Sequence, residues 1–160
     1  MKIILTFFLV SILQFAALAQ HPKPANPEDD FGWFTIGFGV GSKYDFASVL
    51  SANFGREDFL QFALHANSDF FSVGVSSISV CYGKSIVGDL SRVAFSVGPS
   101  LVSDNDNSVV RFRTFGVLGS LQLIYTPVKE LGLGLDLFYN LNFKQNIAGV
   151  SLTYVFEGNK

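Results

Sequence analysis

Few residues in this chain have the types and spacing for chemistry. His65 stands between Leu64 and Ala66, Arg92 between Ser91 and Val93, and Asp136 between Leu135 and Leu137. A histidine acting as a general base needs a nucleophile and an orienting acid within reach. Ala66 and Asn67 follow His65, so no H-x-S pairing is present. The plainer reading makes His65 an interior histidine held by hydrogen bonds, as buried polar groups normally are. Arg92 and Asp136 share its inward phase, and a buried charge needs a partner. The sequence therefore predicts a polar interior network of Gln61, His65, Arg92, Gln122, Asp136 and Asn140, with Arg92 and Asp136 interacting. A charged constriction that selects ions is the functional alternative.

Other candidate chemistry fails on spacing. Asp104-Asn105-Asp106-Asn107-Ser108 looks like the start of a calcium loop. Phe115 stands where the twelfth-position glutamate belongs, so the stretch reads as a solvated loop. Arg111 and Arg113 follow it and could meet lipid phosphates at a rim. Cys81 is the single cysteine, which excludes an intramolecular disulfide or a cysteine zinc cluster. Gly37/Gly39 and Gly132/Gly134 have no helix after them, so neither pair is a dinucleotide fingerprint. The net charge of −2 gives no basic footprint for nucleic acid. The reading is of a protein that is not an enzyme, with no catalytic residue, metal or cofactor.

These residues must be positioned by strands. In residues 131–143 the odd positions, Leu131 to Phe143, are all large and apolar. The even positions carry Gly132, Gly134, Asp136, Phe138, Asn140 and Asn142. Period-two alternation of this kind makes a β-strand with one apolar face. Similar segments recur at 31–41, 46–54, 59–66, 70–83, 90–102, 109–125 and 147–156. The phase of the 70–83 segment slips, which predicts a β-bulge near Ser76-Ser77. Turns fall at 42–45, 55–58, 67–69, 84–89, 103–108, 126–130 and 144–146. Eight strands with short turns and no helix predict an all-β, eight-stranded antiparallel up-and-down barrel.

Ahead of it, residues 1–19 read as a signal peptide: Lys2, an apolar run, then Ala17-Leu18-Ala19 as a cleavage site. Residues 20–30 form a Pro-rich acidic lead-in containing His21, the barrel spans 31–156, and 157–160 is a tail.

The polar face decides which way the barrel turns. A soluble barrel would show water a face rich in Lys and Glu. Here that face is Gly, Ser, Thr, Asn and Gln, small enough for the lumen of an eight-stranded barrel. Only 15% of residues are charged and the mean hydropathy is +0.37, while Phe numbers 18 and Gly 15. An ordinary soluble domain carries about 25% charged residues. The apolar face therefore turns outward, and Phe34, Ile36, Phe38, Phe62, Phe95, Leu121, Leu123, Leu133, Leu135, Leu137 and Leu152 are expected to face lipid. Aromatics near strand ends, Tyr82, Tyr125 and Phe156 among them, fit interfacial girdles.

The signal peptide, the eight strands and the closing Gly149-Val150-Ser151-Leu152-Thr153-Tyr154-Val155-Phe156 resemble small outer-membrane barrels of the OmpA/OmpX class. Residues 125–135, with Tyr125-Thr126-Pro127-Val128-Lys129 ahead of Leu131-Gly132-Leu133-Gly134-Leu135, are also similar to uncharacterised exported barrel proteins of the Bacteroidota. The resemblance implies outer-membrane lipids and the barrel-assembly machinery as partners, in a Gram-negative envelope. One departure is Glu157-Gly158-Asn159-Lys160 after the final aromatic. The expected role is structural or envelope-associated. A narrow pore or transporter, or a soluble lipocalin-like barrel holding a hydrophobic ligand, are the alternatives.

Overall fold

The computed structural model describes residues 32–42, 46–69, 72–106, 109–128, 131–143 and 146–158, though not every side chain within them. The signal peptide, the lead-in with His21, Tyr44 and the tip of the 103–108 loop lie outside the described residues. So do the side chains of Arg111 and Arg113.

Eight strands follow one another: β1 (Gly32–Gly41), β2 (Phe46–Gly55), β3 (Asp58–Asp69), β4 (Ser72–Val87), β5 (Ser91–Asp106), β6 (Val109–Val128), β7 (Leu131–Asn142) and β8 (Ile147–Gly158). Each pairs antiparallel with the next, and β8 returns to β1, closing the barrel.

The register fixes its girth. From Gly32 the paired positions run Phe54, Leu60, Tyr82, Val97, Gly119, Tyr139 and Ala148. The Ser42 amide bonds Ala148, so one circuit ends ten residues along from Gly32. Such a stagger tilts the strands by roughly 35–45° and leaves a lumen that side chains just fill. The end at Gly32 is called lower here and the other upper.

The apolar face points outward. Phe34, Phe38, Phe62, Phe95, Leu133 and Leu152 are exposed on the outer wall, and Ile36, Leu121, Leu135 and Leu137 are half-buried there. Leu123 has the same outward register but is only 4% exposed, flanked by Val93 and Leu135. Phe54, Tyr125 and Phe156 ring the lower part, and Phe115, Tyr139 and Phe143 the upper. Asp58 marks the lower rim, where it accepts from the Tyr82 hydroxyl and pairs with Lys84 Nζ at 3.0 Å.

The structure differs from the sequence reading at the expected bulge and at several strand ends: β3 continues through the turn expected at 67–69, β4 through 84–87 of the turn expected at 84–89, and β6 through 126–128 of the turn expected at 126–130. The β4–β5 register runs unbroken through Ser76 and Ser77, and the irregularity on the β3 side lies between Asn67 and Asp69. Val75 points into the lumen with Ser77, Ser79 and Cys81, so its inward phase and not a bulge at Ser76-Ser77 explains the broken pattern. β5 runs on through Ser103–Asp106 of the loop expected at 103–108, while β6 begins at Val109 as expected. Glu157 and Gly158 continue β8 beside Trp33 and Gly32, so the tail begins later than expected.

Large lumen side chains settle over glycines. A Cβ on Gly149 would lie 2.6 Å from Phe138 Cε1, so the Phe138 ring occupies the space a side chain would need. Substituting Gly149→Ala should destabilise the barrel by about 1–3 kcal/mol through this overpacking. Denaturant unfolding in detergent or vesicles would measure it, and adding Phe138→Leu should recover part of the loss.

Candidate functional site

The lumen holds two apolar clusters, with buried polar groups between them and also among the residues of the upper cluster, where Asn67, Ser77 and Asn140 stand beside Val75, Val102 and Leu118. Trp33, Phe59, Ala94, Ile124 and Val155 pack together near the lower end. Val75, Cys81, Val102, Leu118, Phe138 and Ile147 pack with Ala47 and Ala63 in the upper part. The period-two pattern places these inward, because Trp33 and Phe59 share phase with Thr35 and Gln61.

Between the two clusters runs a hydrogen-bonded belt. Gln122 is its hub. Its Oε1 accepts from Trp33 Nε1 at 3.0 Å, and its Nε2 donates to Asp136 Oδ2 at 2.8 Å and to Ser51 Oγ at 3.3 Å. Ser51 also bonds Thr35 at 2.6 Å and accepts from Asn53 Nδ2 at 3.2 Å. Ser120 Oγ donates to the same Asp136 oxygen at 3.4 Å. One amide thus joins β1, β2, β6 and β7 across the interior.

Asp136 and His65 have no solvent contact to speak of, and His65 Nε2 stands 3.7 Å from Asp136 Oδ1. The His65 ring packs on Phe138 with centroids 4.2 Å apart. Neither imidazole nitrogen has a hydrogen-bond partner, nor does Asp136 Oδ1.

The six residues of the anticipated network all face inward and are all buried, but they do not form one cluster. Gln122, Asp136 and His65 come together. Gln61 accepts from Ser96 Oγ at 2.6 Å, and Asn140 donates to Ser100 Oγ at 2.9 Å, each as a separate pair. Arg92 takes a different carboxylate from the one anticipated. Its Nη2 lies 3.6 Å from Glu157 Oε1, and its guanidinium lies 4.1 Å from the Trp33 ring centroid. Glu157 had been assigned to the tail, and its place on β8 is what brings it to the lower mouth beside Trp33.

The sequence reading left out Trp33, Asn53 and Ser51 as network members. Trp33 had a legible signal, since its indole N–H needs an acceptor when buried. Among the described residues no group of three or more His, Cys, Asp or Glu could hold a metal.

No protein family and no curated protein sequence matches the chain. A solved structure described by the words "De novo design of transmembrane beta-barrels" is similar in fold, with a TM-score of 0.57 at 15% identity. The match covers 84% of this chain and 98% of that one. At that identity the likeness concerns the fold alone.

Replacing Gln122 by Leu would strand the Trp33 indole N–H inside the barrel and leave Asp136 Oδ2 only its longer bond from Ser120. Leaving a buried polar group unsatisfied costs about 1–3 kcal/mol. The variant should therefore lose about 1–3 kcal/mol of unfolding free energy by the same reckoning, while Leu152→Phe on the outer wall should leave stability near that of the parent.

Proposed function

We propose that this chain is a small outer-membrane barrel with a structural or envelope-associated role, no enzyme activity and no open pore. The carrying observation is the pairing of an apolar outer wall with a lumen filled by apolar clusters toward its ends. In hydrocarbon every backbone N–H and C=O must be satisfied within the protein, and a closed sheet does this without an edge. Strands of ten residues or more, tilted as the stagger requires, are long enough to span the apolar layer.

The signal peptide and the resemblance to small outer-membrane barrels support the outer membrane as the location. With the lower end periplasmic, lipids of that membrane surround the wall and the barrel-assembly machinery inserts it. A pore would need a continuous polar path, and Trp33, Phe59, Leu118 and Phe138 stand across the lumen instead. A soluble lipocalin-like barrel calls for an apolar cavity and a polar outer surface, the reverse of the arrangement here.

Cell fractionation with gels run on boiled and unboiled samples tests the location and the barrel together. Recovery with outer membranes and a boiling-dependent shift are expected, and recovery in the soluble periplasm without a shift would overturn the proposal. Planar-bilayer recordings at neutral pH should show no discrete channels. Leu152 is 71% exposed on the outer wall, so Leu152→Arg should cost about 2–4 kcal/mol of stability in a bilayer and much less in detergent.

A further inference from the structure

The Gln122 hub leaves one feature of the lumen unexplained. His65 on β3 and Asp136 on β7 are strands apart in the sheet, yet their side chains meet across the interior at 3.7 Å. Both are buried, and the facing atoms, Nε2 and Oδ1, have no other partner. Ionisable residues inside a membrane-spanning structure are costly and mark functional positions.

We propose that His65 and Asp136 form a one-proton latch, a pH-sensitive device that holds β3 to β7 across the lumen only while the pair carries a single proton. The argument is charge balance. With one proton the pair is neutral overall, whether as imidazolium and carboxylate or as imidazole and carboxylic acid. With none it leaves a net negative charge in a nearly dry interior, and with two a net positive charge. An uncompensated buried charge is strongly unfavourable.

Among the described residues, the neighbours of the pair are uncharged. Ser77 is the β4 neighbour of His65 and Val49 its β2 neighbour. Gln122 and Ser151 flank Asp136 on β6 and β8, and Ser120 bonds it from β6. Phe138 stacks on the ring from β7. On β1 the belt contributes Thr35, which bonds Ser51 of β2, and β5 contributes the hydroxyls of Ser96 and Ser100. Among the described residues the other buried ionisable side chains are Cys81 of β4, within the upper apolar cluster, and Arg92 of β5. Arg92 of β5 and Glu157 of β8 offset one another at the lower mouth.

The test is the unfolding temperature of the full barrel in vesicles or detergent, measured against pH for the parent and three variants. The parent should pass through a maximum. His65→Gln leaves a lone carboxylate that is tolerated only when protonated, so its stability should rise steadily as pH falls. Asp136→Asn leaves a lone imidazole that is tolerated only when neutral, so its stability should rise steadily as pH rises. The double variant is neutral at every pH and should lose the maximum. Opposite slopes in the two single variants separate a proton latch from a purely structural pair, which would lower the whole curve without changing its shape. If the single variants do not fold, the double variant decides: a curve without a maximum supports the latch. A maximum like the parent's, in the singles or in the double, overturns it.

Discussion

Closure is the constraint from which the rest follows. In the proposed membrane setting, a sheet of tilted strands must satisfy all its backbone groups in hydrocarbon and has no place for an edge. β8 therefore has to reach β1, and the register settles the ten-residue stagger. The stagger sets the bore, and the bore sets which side chains fit. Serine, threonine, glycine and a few amides line most of it, and each large residue needs a small neighbour. Phe59 takes the space over Gly83, Phe138 the space over Gly149, and Asn140 the space over Gly116. The glycines of the inner face are the sockets for the few bulky groups that fill it.

Filling the bore creates a second problem, because a mixed lumen can strand polar groups. The arrangement handles this by concentrating them. Gln122 has two donors and an acceptor and uses them on Ser51, Asp136 and Trp33. Ser51, Gln122 and Asp136 are buried, and their seclusion from water strengthens the belt's hydrogen bonds and raises the cost of any left unmade. The Trp33 indole serves both tiers: its ring packs against Phe59 and lies beneath the Arg92 guanidinium, while its N–H enters the belt.

The alternation made the architecture legible. It gives eight strands, their order and the outward direction of the apolar face, because a period of two is a local property that survives folding. Strand ends were less legible, since β3, β4 and β5 run on through residues 67–69, 84–87 and 103–106, which composition assigns to turns. Val75 was misread for a related reason: an apolar residue on the inner face looks like a change of phase when only the outer face is expected to be apolar. The partners of the lumen charges were the least legible part. Arg92 meets Glu157, and His65 meets Asp136, only because register accumulates around the whole circuit. No local pattern reports that sum.

The belt also bears on why a histidine and a carboxylate stand in the lumen at all. Stability alone does not account for them, since well-packed apolar residues of similar volume commonly serve as well or better than a buried ion pair. Neighbouring strands are already aligned by their ladders. Strands on opposite sides of the barrel share no ladder, and apolar contacts between them tolerate sliding by a residue or two. Directional contacts do not. Gln122 ties β6 to β1, β2 and β7 at fixed positions, and His65 reaches from β3 to Asp136. A one-residue slip turns every side chain to the other face, and a two-residue slip keeps the faces but separates these partners. The polar belt therefore selects one register among those that the alternation alone would permit, and a titratable pair within it makes that selection sensitive to protons.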